Sequence, residues 1–415
     1  MNRELLKEII LDQNKLLVEP NLISRDKERI LEKYLQNKFI IIISGIRRCG
    51  KSTLIKKIKS LHPGYYLNFD DERLLSFKVE NFQLLYETFL ELYGERKIFY
   101  FDEIQNIIGW ERFVRRLSEQ GKKVFVTGSN ATLLSRELGT HLTGRYLEVR
   151  LYPFSFNEFL KFKKFKLEKN SVYHTSSKVA LKQHFEEYLL EGGFPEYLKE
   201  KNKDYLKLLY ENILYRDILV RYNLSSEKNL KDLVYLAVTN LSGRISFNSL
   251  TKLLNISSPT TIKEYFDYLE NSYLTFLVSP FEYSLKKQIR LPKKIYLIDN
   301  ALATYLGFRF SKDHGRLLEN LVFLELKRRG KDIYYFSDSN ECDFVLKEGT
   351  NLVEAIQVCY ELNPGNQERE KAGLLEAMKK LRIKKGLILT LEQEEELNLS
   401  GKKISIKPVW KWLLE

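Results

Sequence analysis

A chain of 415 residues is long for a single hydrophobic core, and about two to four domains are expected. Hydrophobic residues make up 44% and aromatics 13%, with 25 Tyr and 25 Phe, which excludes a disordered or low-complexity chain. Lys plus Arg number 68 against 55 Asp plus Glu, a formal net charge of +13; such a surplus attracts polyanions, nucleic acid among them, and serves equally as general solubility charge.

The opening stretch, "MNRELLKEIILDQNKLL", mixes charges at helical spacing and lacks a signal-peptide core. No segment approaches ~20 uninterrupted apolar residues, so the expectation is a cytoplasmic protein with no membrane partner. Cys49, Cys342 and Cys359 are far apart and lack CxxC spacing, which supports neither a disulfide framework nor a zinc site.

From residue 39 to about 150, short apolar runs ("FIIII", "YYLNFD", "KIFYF", "KKVFVTG") alternate with amphipathic stretches, predicting a parallel sheet covered on both faces. Between 161 and 178 the apolar periodicity is lost, as in an exposed connection. Helical segments follow to about 235, broken at "EGGFPEYL", where Gly192, Gly193 and Pro195 interrupt one helix before the next. Residues 236 to 281 read as helix, helix, turn, helix and a short hairpin, with Ile262, Tyr265, Phe266 and Leu269 on one helical face: a winged-helix outline. From about 291, beginning with "KIYLIDNALA", a second α/β pattern runs through "DIYYFS", "CDFVLKEG" and "NLVEAIQVCY" to a helix near 367 to 381 and a strand at "KGLILTL". The expected division is an α/β core over 1–160, a helical lid or linker over 161–235, a winged helix over 236–290 and a second α/β domain over 291–415.

"SGIRRCGKST" carries the chemistry. Gly45, Gly50, Lys51 and Ser52 fit G-x-x-x-x-G-K-S/T between a strand and a helix. The backbone N–H groups of Gly45, Ile46, Arg47, Arg48, Cys49, Gly50, Lys51, Ser52 and Thr53 can surround a phosphate, and side chains at the glycine positions would obstruct it. Lys51 adds a point charge for the β- and γ-phosphates, and the Ser52 hydroxyl is a ligand for Mg²⁺. "KIFYFDEIQ" then ends an apolar strand in Asp102, a magnesium partner, and Glu103, which is placed to deprotonate an attacking water. In "VFVTGSN", Ser129 and Asn130 end another strand where a polar side chain can sense the γ-phosphate. ATP and Mg²⁺ are the cofactors expected.

The order of "GIRRCGKST", "FDEIQ", "TGSN", "LTGRYLEVRLYPFSFNEFL", "EGGFPEYL", "GRLLENLVFLELKRRG" and "CDFVL" resembles a prokaryotic family of AAA-type ATPases followed by a winged helix and a restriction-endonuclease-like domain. The resemblance implies that Arg145, in "LTGR", is an arginine finger reaching a neighbouring subunit's nucleotide, and hence a homo-oligomer such as a hexameric ring. A winged helix sets its third helix in a DNA groove and its wing on phosphates; Thr260, Thr261 and Lys263, followed by Lys286, Lys287, Arg290, Lys293 and Lys294, are the candidate contacts. Protein-contact duty is the alternative for such a module.

In the C-terminal domain the resemblance implies a magnesium site from a helix Glu, a strand Asp and an E-x-K on the next strand, matched by Glu319 and Asp343. The third element departs: "IQVC" puts Gln357 and Cys359 at the acid and lysine positions, leaving Glu354 or Lys385 as the only substitutes. Cleavage is therefore not expected. The expected function is ATP hydrolysis that drives DNA binding or remodelling, at branched DNA such as Holliday junctions; a nucleotide-gated switch and an ATP-dependent nuclease are the alternatives.

Overall fold

The computed structural model describes residues 1–15, 22–129, 142, 144–168, 171, 174–224, 226–307, 314–399 and 401–415. The chain forms two compact units, one over Met1–Tyr152 with Asn271–Tyr273 and one over Pro153–Glu270 with Leu274–Glu415.

The first unit is a five-stranded parallel sheet in the order β2-β3-β4-β1-β5. Its strands are β1 (Ile40–Ser44), β2 (Tyr65–Asn68), β3 (Ile98–Asp102), β4 (Lys123–Gly128) and β5 (Tyr146–Arg150). Among the described residues five α-helices accompany them: α1 (Arg3–Lys15), α2 (Glu28–Tyr34), α3 (Lys51–Leu61), α4 (Phe82–Tyr93) and α5 (Trp110–Glu119). The "IIIIS" run is buried at every position because a parallel sheet with helices on both faces has no wet side. Ile40, Ile42, Phe99, Phe101, Val124 and Val126 share one core with Leu6 and Ile9 of α1, Phe82 and Phe89 of α4, and Trp110 and Leu117 of α5. Helix α3 lies against β3 and β4. Strand β4 therefore separates β1, which feeds the glycine-rich loop, from β3, which ends in the paired acids.

The second unit begins with helices: α6 (Phe156–Phe162), α7 (Thr175–Glu191), α8 (Pro195–Glu200), α9 (Lys203–Asn212) and α10 (Glu227–Thr239), with a π-helical turn over Ile213–Leu219. Helix α6 starts in a capping box, Ser155 accepting from the Glu158 amide while Glu158 accepts from the Ser155 amide. Next come β6 (Arg244–Ile245), α11 (Phe247–Leu253), α12 (Pro259–Asn271), β7 (Thr275–Val278), α13 (Leu285–Arg290) and β8 (Lys293–Leu297). The three strands form an antiparallel sheet in the order β6-β8-β7.

This corrects one expectation: "KIYL" does not open the C-terminal α/β pattern but closes the sheet begun by β6 and β7. An apolar run identifies a strand, whereas its partner is decided by pairing at a distance. A second correction concerns the segment between β7 and β8, which contains the six-residue helix α13 and is not a plain hairpin.

After α14 (Asn300–Leu306) and α15 (His314–Arg328), β9 (Asp332–Ser337), β10 (Glu341–Glu348), β11 (Asn351–Val358), β12 (Lys385–Thr390), β13 (Glu395–Leu399) and β14 (Lys402–Pro408) make a mixed sheet in the order β13-β14-β12-β11-β10-β9. Helix α16 (Gln367–Lys380) connects β11 to the parallel β12, and α17 (Val409–Trp412) follows β14. Among the described residues no helix is long and apolar enough to cross a membrane.

Candidate nucleotide site

Strand β1 ends at Ser44, and the chain turns through Gly45 to Gly50 before α3 begins at Lys51. Gly45 has φ +148°, and a Cβ there would stand 2.1 Å from the Leu151 carbonyl oxygen, so no other residue fits without moving the loop. Gly50 enters α3 at φ +99°. Arg25 clamps the loop from below, one guanidinium nitrogen donating to the Cys49 carbonyl at 2.8 Å and another to the Tyr152 carbonyl at 2.6 Å. Ile46 and Cys49 are buried within the loop, whereas Arg48 and Thr53 are exposed.

Lys51 is 3% exposed, and its ammonium donates to the carbonyls of Gly45 and Ile46, each at 3.0 Å. It also lies 3.8 Å from Glu103 Oε1. The positive charge is thus held inside the loop by two backbone dipoles and one carboxylate.

Asp102 is fully buried at the end of β3. Thr127 donates to its Oδ1, Tyr66 donates to its Oδ2 at 3.1 Å, and the Ser52 hydroxyl is also hydrogen-bonded to it. Burial raises its pKa, the Glu103 charge adds to the rise, and the three hydroxyls oppose it. A carboxylate and a serine hydroxyl meeting at the start of a helix are a hard oxygen pair, and this donor set fits Mg²⁺.

Glu103 leaves β3 in the left-handed region at φ +50°, an uncommon conformation for a glutamate, with its amide donating to Thr127 Oγ1 at 2.9 Å. Its Oε2 accepts from the Gln105 amide and, at 3.4 Å, from the Ser129 hydroxyl. Burial favours the neutral acid, but Lys51, Gln105, Arg47 and Ser129 together outweigh it and hold the carboxyl below its ordinary range.

The structure therefore brings Lys51, Ser52, Asp102, Glu103 and Ser129 together. Asn130 lies outside the described residues. Arg145 precedes β5, whose first residue pairs with Ile40 at the start of β1; it is 47% exposed and its guanidinium pairs with Glu119. The length of β1 separates it from the phosphate loop, on the order of 13 Å at strand rise. Sequence reasoning missed Arg25, Tyr66 and Thr127. Thr127 sits inside "VFVTGSN" and was within reach, but Arg25 and Tyr66 become legible only when distant segments meet.

Of the second unit's candidate residues, Thr260 and Lys263 are exposed on α12, Thr261 less so, and Lys286, Lys287 and Arg290 are exposed on α13. Lys287 pairs with Glu282 at 2.7 Å. Lys293 turns inward, its ammonium donating to the Gln288 carbonyl at 2.7 Å and to Ser279 Oγ at 3.0 Å. Lys294 is a correction: strand alternation points it into the interior, where it is buried among carboxylates and cannot meet a phosphate. Glu319, Asp343 and Gln357 do converge, the Asp343 amide donating to Gln357 Oε1 at 3.3 Å. Cys359 is buried, Glu354 is partly buried on β11, and Lys385 lies opposite Glu354 on β12.

A glycine-rich loop after β1, acids at the end of β3 and a strand inserted between them define a P-loop ATPase of the AAA type. In agreement, the AAA domain family matches residues 37–160, and two domains of unknown function, DUF8612 and DUF4143, match 182–313 and 314–412. An uncharacterised protein of Methanocaldococcus jannaschii is 37% identical, across 99% of this chain and 95% of its own. One from Haemophilus influenzae is 30% identical, across 94% and 98%. The chain belongs to the same family as these two, and in it the AAA domain is followed by the two further domains. Among solved structures, a Walker-type ATPase of Pyrococcus abyssi aligns with 69% of this chain and 96% of its own at 18% identity, with a TM-score of 0.43.

Proposed function

We propose that this protein is a magnesium-dependent ATPase that couples hydrolysis to the binding or remodelling of DNA, branched DNA included, as a homo-oligomer. The observation that carries the reading is the meeting of Lys51, Ser52, Asp102 and Glu103 at one end of β1 and β3. The loop amides hold the phosphates, and Lys51 moves from the Gly45 and Ile46 carbonyls to the incoming phosphate charge. Glu103 then loses its nearest cation, its proton affinity rises, and it takes a proton from the attacking water. Ser52 and Asp102 are the residues that would hold Mg²⁺, which when bound neutralises phosphate charge.

The order helix, short strand, two helices and two strands over 227–297 supports a winged helix, with its boundary moved to include β8. Thr260, Lys263, Lys286, Lys287 and Arg290 are its proposed DNA contacts. The mixed sheet that places Glu319, Asp343 and Gln357 together supports an endonuclease-like C-terminal fold. Arg145 is proposed as the finger that acts on a neighbour's nucleotide.

The test is phosphate release without DNA, with linear duplex and with a four-way junction, for the wild type and Glu103→Gln. Stimulation by DNA in the wild type and its absence in the variant are expected; indifference to both DNA shapes removes the DNA reading while leaving the ATPase. A nucleotide-gated switch is the second reading, favoured by the rest position of Lys51 and by the three groups that restrain Glu103. Slow turnover unaffected by DNA, with ATP-dependent assembly, selects it.

A further inference from the structure

Beside β10 of the C-terminal sheet is a largely buried charge cluster that ATP hydrolysis does not use. Lys294 on β8 is 2% exposed, and its ammonium lies 3.0 Å from Glu319 Oε1 on α15. It also lies 2.8 Å from Asp343 Oδ1 and 2.7 Å from Glu341 Oε1, both on β10. Three carboxylates carried by two elements converge on this ammonium, and Glu341 also pairs at 3.2 Å with Arg244 of β6. Tyr296 OH donates to Glu319 Oε1 at 2.7 Å, and the Val358 amide donates to Asp343 Oδ2 at 2.8 Å. Gln357 is turned away from the ammonium: its carbonyl accepts from the Asp343 amide and its Nε2 donates to Glu370 Oε2 at 2.7 Å.

An endonuclease-like fold implies a divalent cation at Glu319 and Asp343, and the residues present do not fit one. Both oxygens of Asp343 are occupied, one by the ammonium and one by a backbone N–H. The Gln357 carbonyl, the only ligand left at the missing acid's position, is spent on another amide. Three carboxylates within 3.0 Å of the ammonium compensate the burial of the Lys294 charge.

We propose that Lys294 is the resident cation of this cluster, its ammonium standing where a nuclease would bind a divalent ion, so that the site refuses Mg²⁺ and Mn²⁺ while Lys294 is in place and accepts one when it is removed. The proposal rests on the endonuclease-like reading of the C-terminal domain and is independent of the ATPase. It makes Lys294 an internal counter-ion that ties β8 to α15 and β10.

The experiment is Mn²⁺ titration of the nucleotide-free full chain, followed by paramagnetic resonance of free Mn²⁺, for the wild type, Asp343→Asn, Lys294→Met and the double variant. Wild type and Asp343→Asn are expected to bind alike. Lys294→Met gains one Mn²⁺ per chain, at least about tenfold tighter than anything in the wild type, and Asp343→Asn abolishes the gain. Mn²⁺ also raises the unfolding temperature of Lys294→Met by more than that of the wild type or of the double variant. Mn²⁺ binding by the wild type that Asp343→Asn removes overturns the proposal, as does a folded Lys294→Met that takes up no metal. If Lys294→Met fails to fold, Lys294→Gln replaces it, and the comparison of wild type with Asp343→Asn still decides. Loss of ATP hydrolysis with these outcomes intact would strike the ATPase reading alone.

Discussion

Glu103 and Lys51 divide the work of the nucleotide site, and substituting each has a different signature. Lys51→Ala removes the charge that meets the phosphates and is expected to weaken ATP binding and to stop turnover. Glu103→Gln keeps the shape and the hydrogen-bonding reach of the side chain, so ATP binding persists while kcat falls by about 100-fold or more, the usual loss when a general base is removed. Equilibrium binding of a fluorescent ATP analogue, set beside steady-state phosphate release, separates the two; equal loss of binding in both variants would mean that Glu103 holds the loop together and performs no chemistry. The local signals were legible in the sequence because each motif brings its own context: a strand before "GIRRCGKST" and a strand before "DEIQ" fix where Lys51, Ser52, Asp102 and Glu103 must lie. Arg25, Tyr66 and Lys294 were not legible in their roles, since each acts on groups contributed by chain segments far from its own.

Helix α12 ends beside β7 through Glu270, whose Oε1 accepts from the Leu277 amide at 2.8 Å. Burial pushes this carboxyl up to about 7, the Leu277 amide opposing and Asp267 adding to the rise. The unfolded chain releases that proton near the ordinary glutamate value, so the folded state holds more protons between the two. The contribution to stability is therefore complete below the ordinary value and is lost as pH climbs through about 7. Glu270→Gln, a neutral side chain whose carbonyl still accepts from Leu277, is expected to unfold at a higher temperature than the wild type at pH 8 and to show a shallower pH dependence between 5 and 8; equal slopes by thermal unfolding would refute it.

Helix α13 carries the exposed Lys286, Lys287 and Arg290. If these meet phosphates, reversing all three to Glu flattens the dependence of log K on log salt by about 3 × 0.9 for duplex DNA, measured by fluorescence anisotropy across a salt series. A slope unchanged from the wild type would remove α13 from the interface. Among the elements, α12, β9, β10 and β11 were predicted from periodicity within a residue or two, whereas β13 and β14 were missed. In "KKISIKP" about every second side chain is buried, and in "EEELNL" only Leu397 and Leu399 are even half-buried, which leaves polar-looking stretches. Strand β8 was recognised and assigned to the wrong sheet, because hydrophobicity carries no record of the partner.

For the whole molecule, the distance between Arg145 and its own phosphate loop separates a cis role from a trans one. Standing at the opposite end of β1, Arg145 cannot serve its own nucleotide without dismantling the sheet. Arg145→Ala is therefore expected to bind ATP normally and to hydrolyse it slower by roughly 1,000-fold, in the range measured for arginine fingers. With Arg145 acting in trans as proposed, mixing it with Lys51→Ala would join a finger from one partner to a loop from the other. Recovered hydrolysis in the mixture, with turnover per chain that rises with concentration, is the expected outcome; two inactive proteins that stay inactive together would place Arg145 outside the chemistry.

The thiols of this protein amount to a built-in clock. Cys49 sits within the phosphate loop with its Sγ against the Leu151 carbonyl, and Cys342 and Cys359 are enclosed by the C-terminal sheet. Burial encloses all three thiols and pushes their pKa values up, so none reacts with an alkylating reagent until its surroundings open. The rate at which iodoacetamide marks Cys49 thus reads how often the loop breathes, with Cys342 and Cys359 as timers for the other unit. ATP should slow the first hand and leave the other two running at their old pace.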